Sequence, residues 1–377
     1  MSIFTTFRLA DPLGNHLIEI ASYHSYTYIL NCSPGAVGVL ELELPRSFNT
    51  ALLMRDGRIG PWRAINGRAP YNDNGAQFTI ETLRYRSTST FLRAYHMTGL
   101  VGRRIIAYAA GSTYAQKAAA AADDQMKTFW KENAGASISS ADRDGVETQA
   151  DISAYVTTQA NLGAGASIAK AAARRNLLAV AQELCEASAM AGTYMTFEII
   201  APTESTLELR TYTTQRGVDR RASSGSPIIL REQAGVLENA QLEIDYHDEK
   251  TFAVAGGQGE GTARLIATSA DTTRMGVSPF GRVEDFLDMS NVNSTASLQD
   301  DADMGLYHAR PVITFTGDLV ETPALTRGIQ FDLGDLLTAE DPQTHQQYDV
   351  RLDRITESMN ASGRKTEVAL RNIQAVG

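Results

Sequence analysis

Leu40, Leu42 and Leu44 alternate with Glu41 and Glu43 and stop at Pro45. A two-residue apolar period suits a strand with one buried and one wet face, and suits no helix, so a chain that opens this way builds antiparallel sheet. Up to about Val101 the same logic repeats. Short aromatic and branched runs are separated by turn signals at Asp11-Pro12-Leu13-Gly14, Ser33-Pro34-Gly35, Arg55-Asp56-Gly57 and Asn72-Asp73-Asn74-Gly75. Arg58 to Asn66 and Phe78 to Arg86 extend the sheet, with Asn74-Gly75 as a hairpin turn. Residues 1–105 are expected to form a β domain.

Composition then turns to alanine. Tyr114, Ala118, Ala122 and Met126 recur every four residues, and Phe129 and Trp130 close the stripe, which predicts one amphipathic helix along the alanine tract. Thr113 and Gln116 form a capping-box pattern at its start. The Gly/Ser/Asp-rich tract from Asn133 to Thr148 reads as a loop. A second helix is expected from about Ser167, with Leu177, Val180, Ala181 and Leu184 on one face and Gly192 as its stop. Thr196 to Ile200 and Leu207 to Tyr212 return to strand pattern, so residues 106–213 read as an α+β insertion. From Ser223 on, residues 214–377 are β-rich again. Leu242, Ile244 and Tyr246 alternate with Glu243, Asp245 and His247, and Tyr348, Val350 and Leu352 with Asp349, Arg351 and Asp353. Thr366 to Asn372 pairs with the latter across the turn at Ala361-Ser362-Gly363. Ser290 to Asp303 reads as a polar surface loop.

The length of 377 residues suggests two or three domains, and 43% hydrophobic content is enough to pack them. With 34 Lys and Arg against 44 Asp and Glu the net charge is −10, which opposes general adhesion to nucleic acid or anionic membranes. The start, Met1 to Asp11, has neither the basic opening nor the apolar core of a secretory signal, and no apolar run is long enough for a membrane span. Cys32 and Cys185 are too few for a disulfide framework or a four-thiolate zinc site and read as core thiols.

The search for chemistry returns little. Gly256-Gly257-Gln258-Gly259-Glu260-Gly261 lacks the Lys-Ser/Thr of a phosphate loop and lies between two strands, so it reads as a wide loop tip. The six histidines form no helical ligand pair. His247, Asp248 and Glu249 are consecutive strand residues that point to opposite faces. Asp300-Asp301-Ala302-Asp303-Met304-Gly305 lacks the ligand spacing of a calcium loop. No G-x-S-x-G occurs. Arg216, Arg220 and Arg221 around Asp219 would suit an anion or an acidic neighbour; the plainer reading is an exposed loop with one internal ion pair. No catalytic residue, metal or cofactor is expected.

The stretch from Thr251 to Arg264, a strand followed by a Gly-Gly-x-Gly-x-Gly loop and an arginine, resembles the siphophage minor tail proteins of the baseplate hub type. Gly281 to Asp288 is similar to the family's Arg/Glu segment, with Met289-Ser290-Asn291 in place of its basic residue. Asp332-Leu333-Gly334-Asp335-Leu336-Leu337 resembles the family's Leu-Gly-Asp strand entry, and Arg216 to Arg221 its basic turn. The likeness covers about 215 to 375.

The resemblance implies a mainly β fold with an α+β insertion: two tail-tube-like β-barrel domains plus smaller accessory domains, with residues 1–105 and 214–377 supplying the barrels. It implies a virion protein of the tail tip, a baseplate hub whose homotrimer adapts a sixfold tube to a threefold tip and lines the exit of DNA during genome ejection. Expected neighbours are a distal tail or tube protein above, a tip or fibre protein below and the tape measure protein, with DNA passing unbound. Assembly-loop candidates are Gly256, Gly257, Gly259, Gly261, Arg264, Arg216, Arg220 and Arg221, and lumen candidates are Glu243, Asp245, Asp349 and Asp353. Two other readings stay open: a carbohydrate-binding or carbohydrate-cleaving tail protein, and a hexameric distal tail or tube protein.

Overall fold

The computed structural model describes residues 3–65, 68–138, 151–290 and 292–373. The chain is mainly β with an α+β insertion, and it divides into two compact units. One comprises Met1–Gln241 with Phe315–Gly377, and the other Leu242–Thr314.

A 14-stranded sheet draws on both ends of the chain. Its N-terminal members run in the order Ser25–Asn31, Val39–Pro45, Ser89–His96, Phe78–Tyr85, Arg58–Ile65, Ile3–Ala10, His16–Ile20. Leu40, Leu42 and Leu44 are fully buried while Glu41 and Glu43 are not, as the alternation predicts. The sheet curls on itself, so that Phe7 of the Ile3–Ala10 strand meets Tyr26 and Tyr28 edge-on at 5.1 and 6.4 Å. The turn at Asn74-Gly75 is wider than a two-residue hairpin. Residues Asp73–Gly75 form one 3₁₀ turn, and only Arg58 and Ile59 pair with Phe78–Tyr85.

The C-terminal strands Gln347–Asn360 and Gly363–Asn372 pair antiparallel across the expected turn. Gln347–Asn360 also pairs with Ser25–Asn31, from Arg354 opposite Asn31 to Met359 opposite Tyr26, and with Leu336–Glu340. A strand with neighbours on both edges and cover on both faces does not alternate. Val350, Arg351, Leu352 and Asp353 are all buried, with the Arg351 guanidinium 3.7 Å from the Tyr194 ring centre.

In the insertion the first half of the alanine tract is not helical. Gln116–Ala121 is a strand paired antiparallel with Ser167–Ala171, and the helix runs only over Ala122–Ala134. Gln125 donates from Nε2 to the carbonyls of Ala118 and Ile168, fastening both strands to the helix, and Thr113 caps nothing. Tertiary pairing overrides alanine's helix preference here. The second helix likewise starts later than expected, at Leu177, where Asn176 accepts from the amides of Leu178 and Ala179. Leu177, Val180, Ala181 and Leu184 are buried as predicted, and Gly192 follows the helix end. Met195–Ile200 and Leu207–Thr213 are antiparallel strands. Of the tract from Asn133 to Thr148, the residues from 139 onward lie outside the described residues.

In the smaller unit, Phe252–Gly256 is the central strand, antiparallel to Ile266–Ala270 and parallel to Glu284–Asp288. The segment expected as a polar loop is largely helical, Thr295–His308, capped by Ser294. Leu298, Ala302 and Leu306 recur at four-residue spacing along its buried side. Leu298 and Ala302 join Ala255 and Ala267 in a small core.

Candidate functional site

The larger unit holds a cluster of ionised groups whose centre has no access to water. Arg327 donates from Nη1 to both carboxylate oxygens of Asp73, at 2.7 and 2.9 Å, and from Nη2 to Glu357 at 2.7 Å and the Tyr28 hydroxyl at 3.3 Å. Arg63 donates from Nη2 to both oxygens of Glu321 at 3.0 Å and from Nη1 to the Arg327 carbonyl at 3.0 Å. Arg364 closes the circuit onto Glu321 and Glu357 at 2.5 and 3.1 Å. The side chains of Arg63, Arg327, Asp73 and Glu357 are 0% exposed. Three guanidinium groups thus face three carboxylates.

These residues lie far apart in sequence, with Arg63 in Arg58–Ile65, Asp73 in the 3₁₀ turn, and Glu357 and Arg364 in the last two strands, so the cluster clamps the N-terminal part of the sheet to the C-terminal part. Glu357 also accepts from Thr5 Oγ1 at 2.6 Å and the Tyr26 hydroxyl at 2.9 Å. Burial alone would raise its carboxyl, but Arg327, Arg364 and Arg63 together hold it well below the usual carboxylate range. Every carboxylate here is engaged by arginine, which suits rigidity and leaves no free base or nucleophile for chemistry.

The three arginines of the basic turn are all engaged within the chain. Arg216 pairs with Glu198 at 2.8 Å and donates to Asn74 Oδ1 at 3.1 Å and the Leu333 carbonyl at 2.8 Å. Arg220 reaches Asp335 at 3.1 Å, and Arg221 reaches Asp219 at 2.7 Å and Asp349 at 3.4 Å. This corrects the exposed-loop reading: the acidic neighbours belong to the chain itself, and Arg216 is largely buried. The Leu-Gly-Asp entry is the other half of the junction. Asp335 accepts from the Val218 amide at 2.6 Å, and a β-carbon on Gly217 would lie 2.1 Å from Asp335 Oδ1, so only glycine lets the two segments meet.

The glycine-rich stretch is a wide loop tip between Phe252–Gly256 and Ile266–Ala270, as predicted. Arg264 donates back to the carbonyls of Gly256 and Gly257 at 2.9 and 3.0 Å and pairs with Asp288. A β-carbon on Gly256 would lie 2.7 Å from the Phe286 ring and 2.8 Å from the Arg264 guanidinium carbon. Gly259 and Gly261 sit at the exposed tip.

The four lumen candidates separate. Glu243 and Asp245 are exposed. Asp349 is partly buried on Arg221. Asp353 is buried, paired with Arg351 at 2.5 Å and Arg371 at 3.3 Å and accepting from Ser33 Oγ at 3.2 Å, so it cannot face an open bore in this fold. Among the described residues no group of three or more His, Cys, Asp and Glu is placed to hold a metal, and no helix is long and apolar enough to cross a membrane. Cys32 and Cys185 are free and buried.

Sequence reasoning missed the clamp. Its members lie singly in segments of ordinary composition, and partners such as Arg327 and Asp73 are 254 positions apart. The one local signal is Arg63, a charge inside the otherwise apolar and aromatic run Ile59–Ile65.

The fold is that of bacteriophage tail proteins. The tail protein from Neisseria meningitidis MC58 superposes with a TM-score of 0.59 at 13% identity, over 99% of this chain and 98% of that one. The 43 kDa tail protein of prophage MuSo2 from Shewanella oneidensis gives 0.60 at 10% identity, over 99% and 100%. Prophage tail protein gp18 from Listeria monocytogenes EGD-e gives 0.54 at 13%, over 97% and 94%. Within that class the sequence is specific: residues 87–370 match the model of the Siphovirus ReqiPepy6 Gp37-like proteins, and the chain belongs to that family. No curated protein matches it in sequence.

Proposed function

We propose that this is a structural, non-enzymatic virion protein of the phage tail tip: a baseplate hub that closes into a trimeric ring, adapts a sixfold tube to a threefold tip and lines the DNA exit. The observation that carries the reading is the pairing of Ser25–Asn31 with Gln347–Asn360, reinforced by the buried clamp. It joins an N-terminal and a C-terminal set of strands rigidly within one unit. Taken as two tail-tube-like barrels, residues 1–105 and 214–377, with 106–213 as an accessory domain, three copies supply six tube-like elements. A closed ring of identical copies needs such a rigid body, because each contact must repeat at a fixed angle. The net charge of −10 suits a conduit through which a polyanion passes without sticking. Glu243, Asp245 and Asp349 remain the candidates for the bore, and the glycine loop with Arg264 for a contact with the neighbouring tube, tip or tape measure protein.

Light scattering on the purified chain, followed by image averaging of assembled particles, tests the proposal. A threefold ring with six pseudo-equivalent inner elements is expected. A sixfold ring would overturn it in favour of a distal tail or tube role, and a bore lined by lysine and arginine would remove the conduit argument.

A further inference from the structure

The sheet of the Leu242–Thr314 unit has two unlike faces. One carries Ala255 and Ala267 and is covered by the Thr295–His308 helix through Leu298 and Ala302. On the other, the register brings together Phe252, Val254, Ile266 and Phe286, with Val254 opposite Phe286 and Gly256 opposite Ile266. Ile266 is 50% and Phe286 53% exposed. The Arg282 guanidinium lies 3.9 Å from the ring centre of Phe252, and that of Arg264 5.3 Å from the ring centre of Phe286. In the adjoining loop Val277 and Phe280 are 83% and 87% exposed. More than half of the large apolar side chains left exposed among the described residues fall in this small unit, where a contiguous apolar face marks an interaction surface.

Its charge says what covers it. Residues 242–314 carry 12 Asp and Glu against five Lys and Arg, a net charge of −7 out of the chain's −10. Arg264 is already paired with Asp288, Arg274 with Glu249 and Arg282 with Glu284. Phosphate backbones and anionic lipid are repelled by such a unit, and a second copy of it would bring −7 against −7. The rest of this chain is itself net acidic, at −3 by difference, and so offers no basic counterpart overall. Interfaces of this kind place apolar groups at the centre and complementary charge at the rim.

We propose that this open sheet face docks a different tail protein, whose contact surface has an apolar centre ringed by lysine and arginine. The inference rests on the tail-protein reading above.

Because Cys32 and Cys185 are buried, a thiol introduced by Phe286→Cys can be labelled selectively. The variant is compared as purified chain and in assembled particles, first with a maleimide dye and then with a reagent that joins a thiol to a lysine amine. Ile266→Cys serves as a second position, and thermal unfolding of both variants confirms that they fold. Labelling about tenfold slower in particles is expected, as for a side chain in a water-excluded interface, with cross-links to lysines of another tail protein. Equal labelling in the two states would overturn the proposal, as would cross-links confined to other copies of this chain. Imaging the same particles separates the two readings. A threefold ring with a freely labelled thiol sinks the docking face and leaves the hub, whereas a sixfold ring with a protected, lysine-linked thiol does the reverse.

Discussion

The two units of the chain use charge in opposite ways. In the larger one, Arg63, Arg327, Asp73 and Glu357 are sealed from water and neutralise one another, joining strands from both chain ends. In the smaller one acids such as Glu243, Asp245, Asp285 and Asp300 stand in solvent beside a small core of Ala255, Ala267, Leu298 and Ala302. Buried pairs resist rearrangement because no partner can leave without stranding a charge. Solvated charges cost little to move and are free to meet a partner. The first arrangement suits a part that must keep its shape, the second a part that must be recognised.

Arg327→Met is the hardest test of that contrast. It keeps much of the apolar bulk but strands Asp73, which has no solvent access, and takes one of three arginines from Glu357; the expected loss is about 3–5 kcal/mol. Urea unfolding of the purified chain reads it directly. A loss below about 1 kcal/mol would mean that the cluster behaves like a surface pair and clamps nothing.

A smaller effect comes from one buried histidine of the same unit. His96 lies edge-on to Phe78 at 5.4 Å, bonded to Thr98 at 3.0 Å. Burial depresses its pKa from 6.5 to about 4, with Glu198 opposing the shift and Arg216 adding to it. Between those values the unfolded chain binds a proton that the folded chain refuses. Stability therefore falls as pH drops from about 6.5 to 4, by at most about 3 kcal/mol from this group. Glu357, depressed by its arginines, adds a loss of the same sign in stronger acid, below its ordinary 4.5. In His96→Asn the unfolding midpoint should fall less steeply over the histidine window than in the wild type; parallel curves would rule out a neutral buried imidazole.

What sequence revealed follows the same division between local and distant causes. The alternation at Leu40–Leu44 and the helix stop near Gly192 depend on nearby residues, and both were legible. The alanine tract was misread because Gln116–Ala121 is held as a strand by Ser167–Ala171, some 50 residues on, against its own helix preference. The Thr295–His308 helix was missed for the opposite reason. Its Leu298, Ala302 and Leu306 spacing is a local signal, but an Asn/Ser/Asp-rich composition outweighed it. Asp353 was assigned to an open face because strand alternation presumes one wet side, and Gln347–Asn360 has none in that region. The clamp left almost no trace, since a buried ion pair is a property of two positions and a single sequence displays only one at a time.

The smallest predicted effect closes the comparison with a matched substitution in the acidic unit. Arg282 resembles Arg327 on paper, with a carboxylate partner in Glu284 at 2.5 Å and an aromatic ring, that of Phe252, at 3.9 Å. Its side chain is 52% exposed, however, and Glu284's is 59% exposed, so water screens the pair and solvates whichever partner remains. Arg282→Met should therefore change stability by less than about 1 kcal/mol, and that change should shrink further in high salt. If the same exchange costs as much here as at Arg327, the acidic unit is held by its charges after all, and its apolar face would have to be read as an unfinished core awaiting cover, not as a recognition surface on a unit already stable.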